Sequence, residues 1–249
     1  MANPVLNNTT FRRVAAANPS GVMTVKGTIT KAFLLLLMVM AAGAYTWKIY
    51  YESINPASVN GWMLGGLIVG FISAMVISFK PNTAPFLSPI YAAAEGLFLG
   101  AISARYNHVF AETAPNIVAN AFILTLLCAF IMLTVYRTGL IKVNGTFMKV
   151  LSVSLITILV FYIGSWLLTL FGVDVSLLHG STPMSIGISC IITGVAAFSL
   201  LSDYHFIEQA SMAGAPKQLE WYGAFGLMVT LVWLYLEILK LLAKLNSRD

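Results

Sequence analysis

The sequence predicts an all-α integral membrane protein with seven transmembrane helices. Of its 249 residues, 59% are apolar and only 9% are charged, whereas a soluble globular domain carries roughly 25% charged residues. The mean hydropathy of +0.85 points the same way, because so much apolar surface has to face lipid. Seven apolar segments, each bounded by polar, proline or glycine residues, leave no room for a separate soluble domain.

Each apolar segment has the length of a membrane-spanning helix. About 20 residues that rise 1.5 Å each cross a hydrocarbon layer of about 30 Å. A helix is expected because it satisfies its backbone hydrogen bonds internally, which an open strand in lipid does not. In order along the chain, the predicted spans are residues 31–50, 61–80, 86–106, 117–136, 148–172, 184–203 and 221–242.

The distribution of basic residues predicts the orientation of the bundle. Nine of them lie on the side of the amino terminus and five on the opposite side, and cytoplasmic loops are the ones enriched in Lys and Arg. We therefore expect a multi-pass protein of the cell membrane. Residues 1–30 would form a polar cytoplasmic tail, residues 31–245 the transmembrane domain, and residues 246–249 a short tail outside. Because the basic residues never cluster, the expected partner is the lipid bilayer and not nucleic acid.

Three acidic residues interrupt or end the apolar segments, namely Glu95, Asp203 and Glu237. A charge near the bilayer centre costs roughly 2.5–3.5 kcal/mol, so such residues usually face the protein interior and serve ions or protons. No Lys or Arg is predicted deep in a span to neutralise them, the nearest being Lys80 and Lys240. Either some of the acids stay protonated, or they bind a cation, or two of them share one proton, and each outcome makes the site sensitive to pH.

Each of these acids also has a purely structural interpretation. Glu95 could be held by one buried hydrogen bond, Asp203 lies near the end of its span, and Glu237 could pair with Lys240 three residues later. Motifs for a serine nucleophile, a zinc-protease helix or a phosphate loop are absent. Only one aspartate lies in a span, so an intramembrane aspartyl protease is the least favoured class. We predict no catalytic residue, no enzyme activity and no organic cofactor.

Small residues recur four apart in two of the predicted helices. Gly66 and Gly70 form such a pair in the second span, and Gly96 and Gly100 form one in the third. Pairs of this kind let helix backbones approach closely, although a hinge or a pore lining would use the same pattern. We expect these glycines to mark helix–helix contacts.

Three segments resemble the Bax inhibitor-1 family, also called the transmembrane Bax inhibitor motif family, in a bacterial branch related to YccA. They are "SPIYAAAEGLFLGAIS" (88–103), "FSLLSDYHFIEQ" (198–209) and "WLYLEILKLLAKL" (233–245). The resemblance covers essentially the whole chain, and its most specific element is the acid in the sixth helix followed by Leu-Tyr-Leu-acid in the seventh. It implies a bacterial inner-membrane protein in which the seventh helix packs among the other six.

The resemblance also implies a pH-sensitive calcium leak. In the family an aspartate on the sixth helix shares a proton with one on the seventh, and a basic residue on the second helix latches the closed form. Carried over, these residues are Asp203, Glu237 and Lys80. The glutamate is one methylene longer than the usual aspartate, and Lys80 lacks the planar fork of arginine. The two acids are 34 residues apart, so we expect them to meet if the sixth helix continues towards Gly214.

The sequence thus supports hypotheses from two classes. The first is a cation leak, for calcium, in which Asp203 and Glu237 are weak calcium ligands and Glu95 is a third member of the site. A proton-coupled transporter could use the same acids, and substrate-dependent proton flux would separate it from a passive leak. The second class is a non-enzymatic modulator of a membrane-bound ATP-dependent protease, with partner binding on residues 1–30.

Overall fold

The computed structural model describes residues 21–53, 56–172 and 180–247. Within these ranges every regular element is a helix, apart from one isolated β-bridge between Val22 and Pro216. Seven of the helices are long and apolar enough to cross a membrane. The prediction of an all-α membrane protein with seven transmembrane helices is therefore confirmed.

The long helices are numbered here in chain order. They are α1 (Val25–Glu52), α2 (Asn60–Phe79), α3 (Ala84–Val109), α4 (Ile117–Thr138), α5 (Gly145–Leu170), α6 (Pro183–Met212) and α7 (Leu219–Asn246). Short 3₁₀ turns, Pro56–Val59 and Pro81–Thr83, precede α2 and α3.

Two helix ends lie more than four residues from the ends of the predicted spans, and each has a local reason. Helix α1 begins six residues before the predicted span because the Thr24 hydroxyl caps it, accepting a hydrogen bond from the Gly27 amide at 2.9 Å. Helix α6 continues past Asp203 to Met212, since the drop in hydropathy there does not break the backbone helix. Of the predicted N-terminal tail, residues 1–20 lie outside the described residues.

The chain divides into two compact units. The α1–α3 unit contains described residues 21–109 except 54–55, together with 203–229. In this unit α3 packs against both α1 and α2. A Cβ atom added to Gly96 or Gly100 would collide with backbone of α1, and one added to Gly66 would lie 2.5 Å from the Ala94 carbonyl oxygen. The small residues therefore mark close helix contacts, as expected from their spacing.

The α4–α5 unit contains described residues 110–172, 180–202 and 230–247. Its first two helices expose large apolar side chains, as lipid-facing helices do. Examples are Ile123, Phe130, Ile156 and Val160. Helix α7 contributes to both units and is buried in each, through Tyr222 and Phe225 in the first and through Leu234 and Leu239 in the second.

Candidate functional site

Glu237 lies on α7 in the α4–α5 unit and is buried, with only 2% of its surface exposed. Its Oε1 atom accepts three hydrogen bonds, from Tyr162 Oη at 2.9 Å, Trp233 Nε1 at 3.2 Å and Lys240 Nζ at 3.0 Å. Its Oε2 atom accepts none from the residues that the structure describes. Within the described residues the carboxyl group is therefore held through Oε1 alone.

The spacing of residues along α7 produces most of this arrangement. Trp233 lies four residues before Glu237 and Lys240 lies three residues after it, so all three share one face of the helix. The Lys240 ammonium also lies 5.2 Å from the centre of the Tyr162 ring, a distance suited to a cation–π contact. Tyr162, on α5, thus contacts both members of the ion pair.

A second lysine of α7 is buried one turn further on. Lys244 is only 8% exposed, and its ammonium donates to Ser189 Oγ at 2.7 Å and to Ser185 Oγ at 2.8 Å. Glu237 is thus paired with Lys240, as the helical spacing allowed, and Lys244 is a further buried lysine that the sequence analysis did not single out.

Asp203 lies within α6, nine residues before that helix ends, and is 1% exposed. It is therefore a buried acid inside a helix and not a wet residue at its end. Asp203 belongs to the α1–α3 unit and Glu237 to the α4–α5 unit. The predicted contact between the two acids stays a prediction.

Glu95 is half-buried on α3 and faces a glycine of α2. A Cβ atom added to Gly70 would lie 3.0 Å from Glu95 Oε1, so the glycine leaves room for the carboxyl group. Among the described residues, this carboxyl group forms no hydrogen bond or ion pair. Lys80, the predicted latch, lies just after α2 with an exposed side chain that also forms no ion pair within the described chain.

Sequence reasoning missed a cluster at the start of α1, which we call the N-terminal clasp (Gly21–Thr24, Lys31, Ala215–Lys217 and Glu220). The Glu220 carboxylate is buried, is ion-paired with Lys31, and accepts hydrogen bonds from the amide of Thr24 at 3.0 Å and its hydroxyl at 2.9 Å. A Cβ atom on Gly27 would collide with this carboxylate. No local pattern could have paired these residues, because they come from opposite ends of the chain.

Backbone hydrogen bonds extend the clasp on both sides of the ion pair. The amide of Met23 donates to the Ala215 carbonyl at 2.7 Å, and the amide of Lys217 donates to the Gly21 carbonyl at 3.0 Å. Ser211 Oγ donates to the Met23 carbonyl at 3.1 Å. The hydrogen bonds of the clasp thus connect the segment before α1 to the end of α6 and the connection between α6 and α7. These two helices carry Asp203 and Glu237.

The hydrogen bond from Tyr162 should contribute measurably to stability. We expect Tyr162→Phe to lower the free energy of unfolding by about 1.5–3 kcal/mol, because it removes a donor from a buried carboxylate. Chemical or thermal unfolding in detergent measures this. Tyr45→Phe is the matched control, since Tyr45 is exposed and packs edge-on against Trp62; its effect should stay within about 0.5 kcal/mol. Equal effects of the two substitutions would contradict the role of Tyr162.

A family model described as "Bax inhibitor 1 like" matches residues 3–247, nearly the whole chain. No curated protein and no solved structure matches the chain significantly. The match covers every helix that the structure describes, including those that carry the three acids.

Proposed function

Because this chain belongs to the Bax inhibitor 1 like family, we propose that it is a pH-sensitive calcium leak of the membrane, gated by protonation of Asp203 and Glu237. The observation that carries the proposal is the surroundings of Glu237. A buried carboxylate inside a membrane-spanning helix is expensive to maintain and usually serves ion or proton movement. Here the Oε1 atom of Glu237 accepts three hydrogen bonds, whereas Oε2 accepts none from the described residues.

The chemistry of the site suits a weakly held calcium ion. Calcium prefers oxygen ligands, and carboxylates supply them with negative charge. Among the described residues, no group of three or more His, Cys, Asp and Glu side chains could hold a metal ion. Asp203 and Glu237 would therefore contact calcium transiently during passage, which is what conduction needs. Protonation of either acid removes one negative charge and weakens that contact.

The basic residues at the site give the leak a closed form. Lys240 donates to the same Glu237 oxygen that Tyr162 and Trp233 contact, so an entering cation would have to compete with a tethered ammonium. The resemblance implies that Lys80 latches the closed form, whereas in the structure it is Lys240 that pairs with Glu237. We propose that Lys240 is the main counter-charge of Glu237 in the closed form and that Lys80 acts at the end of α2.

The proposal also includes location and chemistry. We place the chain as a multi-pass protein of the bacterial inner membrane, with its amino terminus in the cytoplasm and its carboxyl terminus outside. Its action would be conduction without catalysis, and calcium would be the transported ion and not a cofactor. Glu95 would be a third acid on the route, since its carboxyl group lies in a helix interface and has no hydrogen bond within the described residues.

Calcium flux into liposomes that contain the purified protein tests the leak directly. Between pH 5 and 8 we expect flux through the wild-type protein to depend on pH, and Asp203→Asn and Glu237→Gln each to abolish that dependence. Glu95→Gln, measured separately, reports whether Glu95 belongs to the site. Glu52→Gln is the matched control, because Glu52 forms only an exposed pair with Lys48. Flux no greater than that of empty liposomes at every pH would refute the leak.

A second candidate function is favoured by the N-terminal clasp. If the chain modulates a membrane-bound ATP-dependent protease, a partner that binds the amino-terminal segment would act through the clasp on the α6–α7 connection. In that case Asp203→Asn and Glu237→Gln would leave protease regulation unchanged, whereas removal of residues 1–20 would abolish it. The two candidate functions therefore predict opposite roles for the buried acids.

A further inference from the structure

Two hydroxyl groups in the α1–α3 unit are buried and have no hydrogen-bond partner among the residues that the structure describes. They are Ser88 Oγ on α3 and Tyr222 Oη on α7, and both residues are 0% exposed. Burying a hydroxyl without a partner costs free energy, so nearly all buried polar groups in proteins bond to the protein or to ordered water. Two such groups in one unit therefore point to a ligand that can both donate and accept hydrogen bonds.

The directions of the helices show how these groups are placed. On α3, Gly96 approaches Val39 of α1 and Gly100 approaches Gly43, so the two helices run in the same direction. Helix α7 also runs in the same direction as α1. Glu220 lies against Thr24 and Gly27, and a Cβ atom added to Gly223, further along α7, would touch Thr28, further along α1. Helices α3 and α7 are consequently parallel.

A ring contact sets the register between these parallel helices. Tyr91 of α3 and Phe225 of α7 pack edge to face, with ring centres 4.9 Å apart. Ser88 lies three residues before Tyr91, and Tyr222 lies three residues before Phe225. Ser88 and Tyr222 therefore lie about one helical turn from the same contact, and on the same side of it along the two helices.

Glu95 extends this polar region along α3. Ser88, Tyr91 and Glu95 are spaced three and four residues apart, which places them on one face of the helix. The Glu95 carboxyl group, like the two hydroxyls, has no hydrogen-bond partner among the described residues. The face of α3 that begins at Ser88 thus carries two unsatisfied polar groups within two turns.

We propose that Ser88 and Tyr222 together bind ordered water within the α1–α3 unit, and that this water gives protons access to Glu95. Water suits the site because serine and tyrosine hydroxyls each donate and accept, and a bound water typically makes about three hydrogen bonds. A metal ion would need more oxygen ligands than two neutral hydroxyls. The water site itself is independent of the proposed leak; proton access to Glu95 rests on that function.

A double-mutant cycle on protein stability tests the water site without any assay of flux. The variants are Ser88→Ala, Tyr222→Phe and both together, with Ser211→Ala as calibration because it removes one known hydrogen bond in the same unit. We expect each single substitution to lower the unfolding temperature about as much as Ser211→Ala. The double variant should lose less than the sum, because both hydroxyls hold the same water.

The opposite results have clear meanings. A hydroxyl that truly lacks a partner costs free energy in the folded state, so its removal should leave the unfolding temperature unchanged or raise it. That outcome for both single variants would overturn the water site. Strictly additive losses would overturn the shared site, because the two hydroxyls would then have separate partners.

Radiolytic hydroxyl-radical labelling of the wild-type protein gives a second test that needs no variant. Radicals form from bound water, so Tyr222 should be modified although it is fully buried. Tyr50 is the internal control, because it is buried and its hydroxyl is already bonded to His108 Nδ1 at 2.9 Å. Labelling of Tyr222 that is no greater than labelling of Tyr50 would refute bound water.

The rate at which Glu95 takes up a proton tests the proton route. After a rapid change of pH, the infrared carboxyl band that Glu95→Gln removes should change several-fold more slowly in Tyr222→Phe than in the wild-type protein. An unchanged rate would refute the route. If the wild-type protein passes no calcium, the proposed leak function is refuted. The stability and labelling results still show whether Ser88 and Tyr222 bind water.

Discussion

Lys31→Met is expected to lower the free energy of unfolding by about 3–5 kcal/mol, because it leaves the buried Glu220 carboxylate without its counter-charge. The side chain of Glu220 is only 2% exposed, and Lys31 is its ion-pair partner within the N-terminal clasp. The hydrogen bonds from Thr24 would persist, but they do not neutralise the charge. Unfolding in detergent by heat or by a denaturing detergent measures the loss.

Two further variants separate the buried charge from other effects of this substitution. The double variant Lys31→Met with Glu220→Gln should recover most of the loss, since no buried charge is then left unpaired. Lys48→Met is the matched control, because Lys48 pairs with Glu52 at 3.7 Å and both side chains are largely exposed. Its effect should stay below about 1 kcal/mol. A double variant that is as unstable as Lys31→Met would contradict this explanation.

Gly100→Ala is expected to lower the free energy of unfolding by about 2–3 kcal/mol. Its new methyl group would collide with the Gly43 carbonyl oxygen and with Thr46 Oγ1, and its position would lie only 2.6 Å from Gly43 Cα. The obstacle is mainly backbone of α1, which relaxes less readily than a flexible side chain, so α1 and α3 would have to separate. Thermal unfolding of the purified variant measures the effect.

Gly65→Ala is the control for this substitution. It makes the same chemical change inside α2, but nothing lies within 4 Å of the added atom. Inside a helix alanine is more favourable than glycine by about 1 kcal/mol. This variant should therefore be as stable as the wild type or more stable. Losses of similar size for Gly65→Ala and Gly100→Ala would show that the contact between α1 and α3 is not the cause.

The number and type of the helices could be predicted because hydropathy reports which segments face lipid. Their ends were harder to place, since a helix does not stop where its surroundings become polar. The sixth span was expected to end at Asp203, where charged and aromatic residues follow, yet α6 continues to Met212. At the start of α1 the sequence does contain a residue type that favours a helix N-cap, Thr24. Hydropathy does not detect such a cap.

The buried acid Glu237 was predictable because a charge in an apolar segment is conspicuous. Its neighbours on α7 follow from helical spacing, but Tyr162 is 75 residues away and only tertiary structure brings it to the carboxylate. Lys244 illustrates the opposite problem. Near a chain end a lysine is normally solvated, so nothing local indicated that Ser185 and Ser189 would enclose it.

The N-terminal clasp also has a consequence for how the protein is made. Thr24 and Glu220 are 196 residues apart, so their contact forms only after nearly the whole chain has left the ribosome. Until then the start of the first helix has only its own local cap. Such contacts between distant parts of a sequence form late, because closing so long a loop costs entropy before it gains any interaction. The start of α1 is therefore among the last parts of the α1–α3 unit to be fixed in place.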